Sequence, residues 1–321
     1  MKKLATQPLT GFRDFLPGDW KVQSYIFDTW RLVCERYGYK EYNGPVLENV
    51  EIYNKSGDDV GASGKELYAF KDRGDRNVAL RPEMTPTVGR MVAAYGKQFA
   101  KPIRWFSIAQ FFRAEKPQRG RGREFFQLNA DLFGIESVYA DFEVISLAID
   151  ILVEFKATAE MFKVKINNRK FTDYYFSEIL NIDSADQKSK LLKIIDGYPK
   201  QTERWLNERL GDAGFSESVY PKVKNYLSLT VVDIQSMKGK NASADELIRL
   251  FDLLDAAGLS KYCELDTKIA RGFDYYTGMV FEVFDQSPKN NRSMFGGGRY
   301  DDLLNLFGEE KMPAVGFAPG D

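Results

Sequence analysis

The sequence predicts an α+β fold built on an antiparallel sheet. Long stretches of alternating large residues are joined by a basic loop, as in a β-hairpin, and hairpins of this kind are mixed with helices instead of alternating regularly with them. A stretch from about 171 to 245 favours helix throughout. The 321 residues suffice for two domains, or for one large domain with an insertion.

The first half of the chain is predicted to mix helices and strands. Thr85 is the expected N-cap of one helix because Pro86, which suits the first helical turn, follows it. The predicted elements are a helix over 20–37, an extended segment over 39–47, short strands over 67–70 and 78–80, a helix over 83–94, long strands over 103–113 and 124–133, a helix over 141–155 and a strand over 163–166.

The strand over 124–133 has two different faces. With a period of two, Phe126, Leu128, Ala130 and Leu132 share one face, and Phe125, Gln127, Asn129, Asp131 and Phe133 share the other. The second face is a polar stripe between aromatic residues. It is either the solvated side of an antiparallel strand or a floor of hydrogen-bonding groups for a polar ligand.

The second half is predicted to return from helices to strands. Residues 171–245 form a helical insertion, and 1–170 with 246–321 form the core. Ser243 is the expected N-cap of the last helix, with Glu246 at the capping-box position. Strand character resumes over 261–285, and a run of three glycines before Arg299 is either a backbone nest for an anion or a tight turn.

The composition excludes several classes of function. Lys and Arg total 45 against 46 Asp and Glu, so the net charge of −1 predicts no general affinity for nucleic acid and no DNA partner. The absence of histidine removes Ser-His-Asp and Cys-His catalysis, histidine general bases and histidine metal ligands. Two cysteines predict neither a disulfide framework nor a cysteine-ligated zinc site. With no signal peptide and no apolar run of ~18 residues, a cytoplasmic protein without a membrane partner is expected.

The loop between the two long strands is densely basic. Within eleven residues it contains Arg113, Lys116, Arg119, Arg121 and Arg123, with glycines among them. Arginine side chains match phosphate oxygens in pairs, and glycine lets the backbone approach a ligand closely. A polyphosphate or an RNA is therefore favoured over a merely solvated loop.

Six segments, taken in order, resemble the catalytic core of histidyl-tRNA synthetases. The FRAE…RGREF segment resembles motif 2 of class II aminoacyl-tRNA synthetases, and RGFDYYTG is a signature of the histidine-specific family. The segments are GFRDFLP, LRPEMT, FRAEKPQRGRGREFFQL, ARGFDYYTGMVFEV, GGGRYDDL and AVGFAPG.

The resemblance implies a six-stranded antiparallel sheet flanked by helices, in a homodimer formed through 38–47, the counterpart of motif 1. It implies that histidine reacts with ATP to give histidyl-adenylate and pyrophosphate, and that the histidyl group then passes to the terminal adenosine of tRNA(His). Mg²⁺ is implied because it bridges the phosphates of ATP. No protein metal site is expected.

The resemblance also assigns roles to residues. Arg113 and Arg271 are the catalytic pair at the α-phosphate. The ATP site adds Glu115, Arg121 and Phe125. The histidine site comprises Glu83 and Thr85 at the ammonium group, Gln127 near the amino-acid backbone, Asp131 and Tyr276 at the imidazole, and Tyr275, Gly298 and Tyr300 in the wall. The tRNA candidates are Lys116, Gln118 and Arg119.

The chain departs from the family pattern in several places. Position 131 is Asp where many relatives have Glu, and Ala114 stands where motif 2 often has histidine. The sequence stops at Asp321, before the motif 3 arginine, and an anticodon-binding domain is absent from the 321 residues. The alternative function is therefore a non-catalytic, histidine-sensing regulatory subunit of ATP phosphoribosyltransferase, although retention of the ATP and tRNA candidates favours the enzyme.

Overall fold

The structure, a computed structural model, describes residues 4–54, 66–118, 120–270, 276–288, 290 and 292–321. The helices are α1 (Pro17–Arg36), α2 (Glu51–Asn54), α3 (Thr85–Tyr95), α4 (Val138–Glu154), α5 (Arg169–Tyr174), α6 (Ala185–Gly197), α7 (Glu203–Asp212), α8 (Val219–Leu227), α9 (Val231–Gln235) and α10 (Ala242–Ala256). The strands are β1 (Lys40–Glu41), β2 (Leu47–Asn49), β3 (Ala69–Lys71), β4 (Asn77–Leu80), β5 (Ile103–Phe112), β6 (Glu124–Phe133), β7 (Phe162–Asn168), β8 (Cys263–Leu265), β9 (Met279–Asp285), β10 (Ser293–Arg299) and β11 (Ala314–Phe317).

The chain divides into two compact units. The first comprises 1–135, 150–155 and 301–321, and the second comprises 136–149 and 156–300. The predicted insertion over 171–245 falls within the second unit, where the helices from α5 to α10 follow one another. Its standing as a separate domain stays a prediction.

The first unit is organised around the hairpin of β5 and β6. These strands pair antiparallel from Ile103↔Phe133 to Phe112↔Glu124. β11 pairs antiparallel with the free side of β6, and β1 pairs parallel with β5. Phe106, Phe111 and Leu128 are fully buried, so the hairpin contributes directly to the core. A smaller sheet in the order β2-β4-β3 leads into α3.

In the second unit the strands follow the order β10-β9-β7-β8, with a parallel pair at one edge. β9 pairs antiparallel with both β10 and β7, and β8 pairs parallel with β7. Asn168 caps α5 by accepting hydrogen bonds from the backbone N–H groups of Lys170 and Phe171. The helix α10 is capped by Asn241, so the predicted N-cap at Ser243 is wrong: the asparagine two residues earlier accepts from the Ser243 and Ala244 N–H groups.

The α+β prediction is confirmed, with a difference at the edges. Outside the smaller sheet, antiparallel pairs join β5, β6 and β11 in the first unit, and β7, β9 and β10 in the second. The parallel strands β1 and β8 make the large sheet mixed. At two and three residues they are too short to show a hydrophobic period, which is why the sequence pattern did not reveal them.

Candidate active site

The polar stripe predicted on β6 continues across β5. Directly opposite residues of an antiparallel pair share a face, and the register pairs Asn129 with Ser107 and Asp131 with Trp105. Asn129 is 3% exposed and Asp131 is 2% exposed. The half-solvated interpretation is therefore wrong for this part of the strand, because both faces of β6 are buried from Leu128 onward.

The segment Glu83–Thr85 packs over this face. Met84, which is fully buried, forms a cluster with Ala109 and Phe111. Ala109 is the register partner of Gln127. The Met84 side chain therefore lies over the face of the hairpin that carries Gln127. Helix α3 begins at Thr85 with Met84 at the N-cap, so the prediction that Thr85 is the cap is wrong by one residue.

Glu83 and Arg113 supply opposite charges near this face. Burial raises the pKa of the Glu83 carboxyl above its ordinary value, and the positive charge of Arg113 opposes that rise. The Oε1 atom of Glu83 is shielded from solvent without a hydrogen-bond partner among the described residues. Arg113 Nε donates to the Pro82 carbonyl (3.1 Å), and its guanidinium carbon lies 5.1 Å from the centre of the Phe125 ring.

Gln127 is tied to the end of the chain. Its Nε2 donates to the Ala318 carbonyl (3.2 Å), and its backbone forms a bridge with Gly320. The side chain of Asp321 accepts from the Phe126 N–H (3.0 Å) and from Arg13. The segment after β11 therefore borders the end of β6 that carries Phe125 and Gln127.

The basic loop is folded back on itself and on the N-terminal segment. Arg123 donates through its N–H to the Gly11 carbonyl (2.7 Å) and through Nε to the Glu115 carbonyl (2.9 Å). Glu115 Oε2 lies 3.8 Å from Arg121 Nη1, so two of the ATP candidates are brought together. Gln118 and Arg121 close a tight turn through mutual backbone hydrogen bonds, and Gln118 and Lys116 are exposed.

In the second unit, Tyr276, Gly298 and Tyr300 come together. The Tyr276 and Tyr300 ring centres are 6.3 Å apart. A Cβ added to Gly298 would lie 2.7 Å from both Tyr276 Cδ1 and the Met279 carbonyl oxygen, so only glycine leaves room for the Tyr276 ring. Arg169 Nη1 donates to the Tyr276 carbonyl (3.2 Å).

The glycine run at 296–298 is neither an anion nest nor a tight turn. It belongs to strand β10, where Gly296, Gly297 and Gly298 pair with Glu282, Phe281 and Val280 of β9. A Cβ at Gly296 would lie 2.7 Å from the Phe281 carbonyl oxygen. Close packing of backbone against backbone explains these glycines.

Sequence reasoning missed two buried polar contacts of the second unit. Arg299 Nε donates to Asp141 Oδ1 (3.0 Å) in a buried ion pair whose side chains are 4% and 8% exposed. Asn167, fully buried, donates to the Ile269 carbonyl (2.9 Å). Partners that lie 158 and 102 residues apart leave no local pattern, so no signal in the sequence would have found them.

Three predicted residues, Arg119, Arg271 and Tyr275, lie outside the described residues, and their placement stays a prediction. The described ranges contain no cluster of three or more Cys, Asp or Glu side chains arranged to hold a metal ion. No helix within them has both the length and the apolar character required to cross a membrane.

The family model for histidyl-tRNA synthetase matches residues 11–319. The chain belongs to the histidyl-tRNA synthetase family. It is 42% identical over 323 aligned positions to the histidine–tRNA ligase of Leptospira biflexa, covering all of this chain and 73% of that protein. It is 38% identical to the histidine–tRNA ligase of Haloarcula marismortui, covering 97% of this chain and 72% of that protein.

Solved structures agree with this membership. The histidyl-tRNA synthetase from Nostoc sp. PCC 7120 is 25% identical, with a TM-score of 0.85 over 99% of this chain and 74% of that chain. A structure from Bacillus halodurans, described as an ATP phosphoribosyltransferase regulatory subunit/histidyl-tRNA synthetase, is 26% identical, also with a TM-score of 0.85, over 99% of this chain and 82% of that chain.

Proposed function

We propose that the chain activates histidine with ATP and transfers the histidyl group to the terminal adenosine of tRNA(His). The observation that carries this proposal is the shared face of β5 and β6, on which Gln127 and Asp131 lie and over which the segment Glu83–Thr85 packs. One surface thus gathers polar groups for both ends of a histidine molecule. Membership of the histidyl-tRNA synthetase family, with relatives named histidine–tRNA ligase, supports the same substrate.

Histidine is proposed to bind with its ammonium group at Glu83 and Thr85 and its backbone near Gln127. Asp131 and Tyr276 are proposed to bind the imidazole. The remaining wall of the histidine pocket is proposed to consist of Tyr275, Gly298 and Tyr300. The burial of Asp131 supports its role in selectivity. An amino acid without an N–H donor would leave a buried carboxylate unsatisfied, which discriminates far more strongly than shape alone.

ATP is proposed to bind along the hairpin. The Phe125 ring supports the adenine, Arg113 and Arg271 hold the α-phosphate, Arg121 reaches the γ-phosphate, and Glu115 lies on the ATP side. The contact between Glu115 and Arg121, at 3.8 Å, supports this grouping because it places two of the ATP candidates in the same part of the loop.

Mg²⁺ is proposed to enter with the nucleotide. Magnesium is usually held by substrate phosphates together with one or two carboxylates, and Glu115, whose side chain is 19% exposed, is the acid of the loop suited to this. When bound, the ion would neutralise phosphate charge.

The reaction needs no protein base. The histidine carboxylate attacks the α-phosphorus, forming the mixed anhydride as the bond to pyrophosphate breaks. A hydroxyl of the terminal adenosine then attacks the anhydride carbonyl as AMP leaves, and the hydroxyl proton passes to a phosphate oxygen of that AMP. Positioning and charge neutralisation account for most catalysis of phosphoryl transfer, which agrees with a chain that has no histidine.

The exposed tip of the basic loop is proposed to meet tRNA. Lys116 and Gln118 are exposed there, and Arg119 completes the set. The segment 38–47 is proposed to form a homodimer, since Val46 and Leu47 are 42% and 40% exposed although apolar. Sedimentation of the purified chain tests the dimer.

The decisive experiment is histidine-dependent exchange of pyrophosphate into ATP. Wild-type chain is expected to show exchange, and Arg271→Ala is expected to abolish it while histidine binding by calorimetry remains. Arg209→Ala, on the exposed surface of α7, is the matched control and should behave as wild type. Histidine binding without any exchange would favour the regulatory alternative.

A second variant tests the histidine site. Asp131→Ala is expected to raise the histidine requirement at least about tenfold, because it removes a charged partner of the imidazole, with little change in the ATP requirement. Equal effects on both substrates would contradict the assignment.

A further inference from the structure

Two arginines and two phenylalanines form a row of touching side chains at the loop end of the hairpin. The guanidinium carbon of Arg81 lies 5.2 Å from the centre of the Phe111 ring. Phe111 contacts its register partner Phe125, with ring centres 5.8 Å apart and ring planes tilted by 34°. The guanidinium carbon of Arg113 lies 5.1 Å from the centre of the Phe125 ring. Both cations are within the ~6 Å at which an aromatic ring attracts a positive charge, so each member of this row constrains the next.

Arg81 anchors the inner end of the row. The residue is 2% exposed, and its guanidinium donates to three oxygen atoms. Nε donates to the Gln110 carbonyl (2.9 Å), and Nη1 donates to Asn43 Oδ1 (3.1 Å) and to the Gly44 carbonyl (2.8 Å). Because a guanidinium is planar and its N–H groups point in fixed directions, these acceptors define one orientation, in which it lies over the Phe111 ring.

The burial of Arg81 is costly for stability. All three acceptors of its guanidinium are uncharged, and burial lowers the pKa of Arg81 below its ordinary value. An apolar side chain of similar volume would fill such a position at a lower cost. What the guanidinium adds is a rigid fork that fixes the neighbouring ring. Arg81 therefore contributes orientation more than stability.

The outer end of the row is open to a ligand. Arg113 donates through Nε to the Pro82 carbonyl (3.1 Å), and its two terminal nitrogens have no acceptor within the ranges that the structure describes. The Arg81 carbonyl accepts from the Phe112 N–H (3.0 Å), so two consecutive carbonyl groups hold the end of β5 that leads into Arg113. The terminal nitrogens of Arg113 are thus left for the paired contacts that arginine makes with phosphate oxygens.

We propose that Arg81 is a positioning residue that acts through the two phenylalanine rings to hold Arg113 in the orientation that binds the α-phosphate of ATP. The inference rests on the proposed function, because that function places ATP at Arg113. Arg81 itself touches no substrate. Its substitution should therefore disturb the ATP site and leave the groups of the histidine site in place.

The test is Arg81→Lys, which keeps the positive charge and loses the planar fork. In pyrophosphate exchange the ATP KM is expected to rise about tenfold and kcat to fall about tenfold, because a misaligned arginine stabilises the transition state less well. The dissociation constant for histidine, measured by calorimetry without ATP, should stay within about twofold, since the row contains no histidine candidate. A purely structural role would not separate the two substrates in this way.

Phe111→Leu tests the route of the effect, because it removes the ring that links Arg81 to Phe125. It is expected to raise the ATP KM about fivefold. The double variant with Arg81→Lys should raise the ATP KM no further than the larger single effect, since residues that act through one another are not additive. Effects that multiply would show independent contributions and would overturn the route through the rings.

Arg90→Lys is the matched control. Arg90 lies in the same unit, and its guanidinium is paired with Glu48 (2.7 Å) outside the row. This variant should keep the wild-type ATP KM and kcat. Asn43→Ala is a milder variant that keeps Arg81 and removes one of its acceptors. It should raise the ATP KM about threefold, and it decides the question if Arg81→Lys does not fold.

An unchanged ATP KM and kcat in Arg81→Lys, or equal changes in the histidine and ATP constants, would overturn the positioning role. Absence of exchange by the wild-type chain would instead count against the proposed function. In that case calorimetric binding of ATP by wild type, Arg81→Lys and Arg90→Lys still tests the positioning role, so the two can fail separately.

Discussion

The two units that carry the predicted site treat buried polar groups in opposite ways. In the first unit Glu83 Oε1 and Asn129 Oδ1 are shielded from solvent without a hydrogen-bond partner among the described residues. In the second unit Arg299 is paired with Asp141, and Thr172 is bonded to Tyr226.

This difference distinguishes polar groups that are available to a ligand from polar groups that only stabilise the fold. A buried group with its bonds complete stabilises the fold and has nothing left to offer a ligand, whereas an incomplete group costs stability until a ligand arrives. We therefore expect substitutions of the paired polar groups in the second unit to act mainly on folding, and substitutions of the unsatisfied polar groups in the first unit to act mainly on histidine binding.

The largest effect on stability is expected for Asp141→Asn. It leaves the Arg299 charge buried without its counter-charge, and breaking such a pair costs about 3–5 kcal/mol. Urea denaturation measures this loss. Asp186→Asn in the exposed Asp186–Lys190 pair of α6 is the control, at no more than ~0.5 kcal/mol. A small loss of unfolding free energy for Asp141→Asn would contradict the expected difference between the two units.

Gly298→Ala is expected to lower kcat/KM for histidine about a hundredfold. The added methyl would overlap the Tyr276 ring and the Met279 carbonyl, and overpacking of this kind costs about 1–3 kcal/mol. Pyrophosphate exchange is the assay. Gly211→Ala in α7, where a methyl meets nothing within 4 Å, should retain full activity and gain some stability. Normal activity of Gly298→Ala would remove Tyr276 from the site.

Glu83→Gln is expected to weaken histidine binding about tenfold and yet to stabilise the free protein at neutral pH. Burial raises the folded-state pKa of Glu83 above its ordinary value of 4.5. The contribution of Glu83 to the free energy of unfolding is fully present below about pH 4.5, and it is lost as the pH rises through the folded-state pKa.

Thermal melts without ligand check the stability half of this prediction. The variant should melt above wild type at pH 8 and show no such advantage at pH 4. Calorimetry with histidine checks the binding half. A variant that is less stable at pH 8 would show that Glu83 serves the fold.

The smallest effect is expected for Ser107→Ala, within about 0.5 kcal/mol of wild-type stability, because its hydroxyl makes only a weak contact with the Tyr42 hydroxyl. Thr172→Ala removes a similar hydroxyl from the second unit and leaves Tyr226 without that partner, at a cost of about 1–3 kcal/mol. Denaturation of both variants gives the difference directly. Equal losses would contradict the contrast between the units.

The long strands were predictable because they carry an uninterrupted period of two. The observed bounds of β6, Glu124–Phe133, are those predicted, and β5 ends one residue before the predicted Arg113. Helix caps were less predictable. Met84 stands at the cap in place of Thr85 without any side-chain cap, because the helix already includes Thr85. Asn241 replaces Ser243 because its side chain accepts from the Ser243 and Ala244 N–H groups.

The site was predictable where it lies on long strands. The alternation in β6 placed Phe125, Gln127 and Asp131 on one face, and the structure agrees. Strand β1 was missed because its two residues are too few to show a period. The glycines of β10 were misassigned because glycine disfavours strands intrinsically, and pairing with β9 overrides that preference.

In β10 the backbone of Gly298 lies against the Tyr276 ring, and at both Gly296 and Gly298 a carbonyl oxygen already lies where a methyl group would go. Neither residue has any side-chain chemistry to lose, yet every replacement adds volume where none is available. If every position in this stretch were substituted in turn, we would expect almost no replacement to be tolerated, as in a catalytic site. The cause would be purely steric.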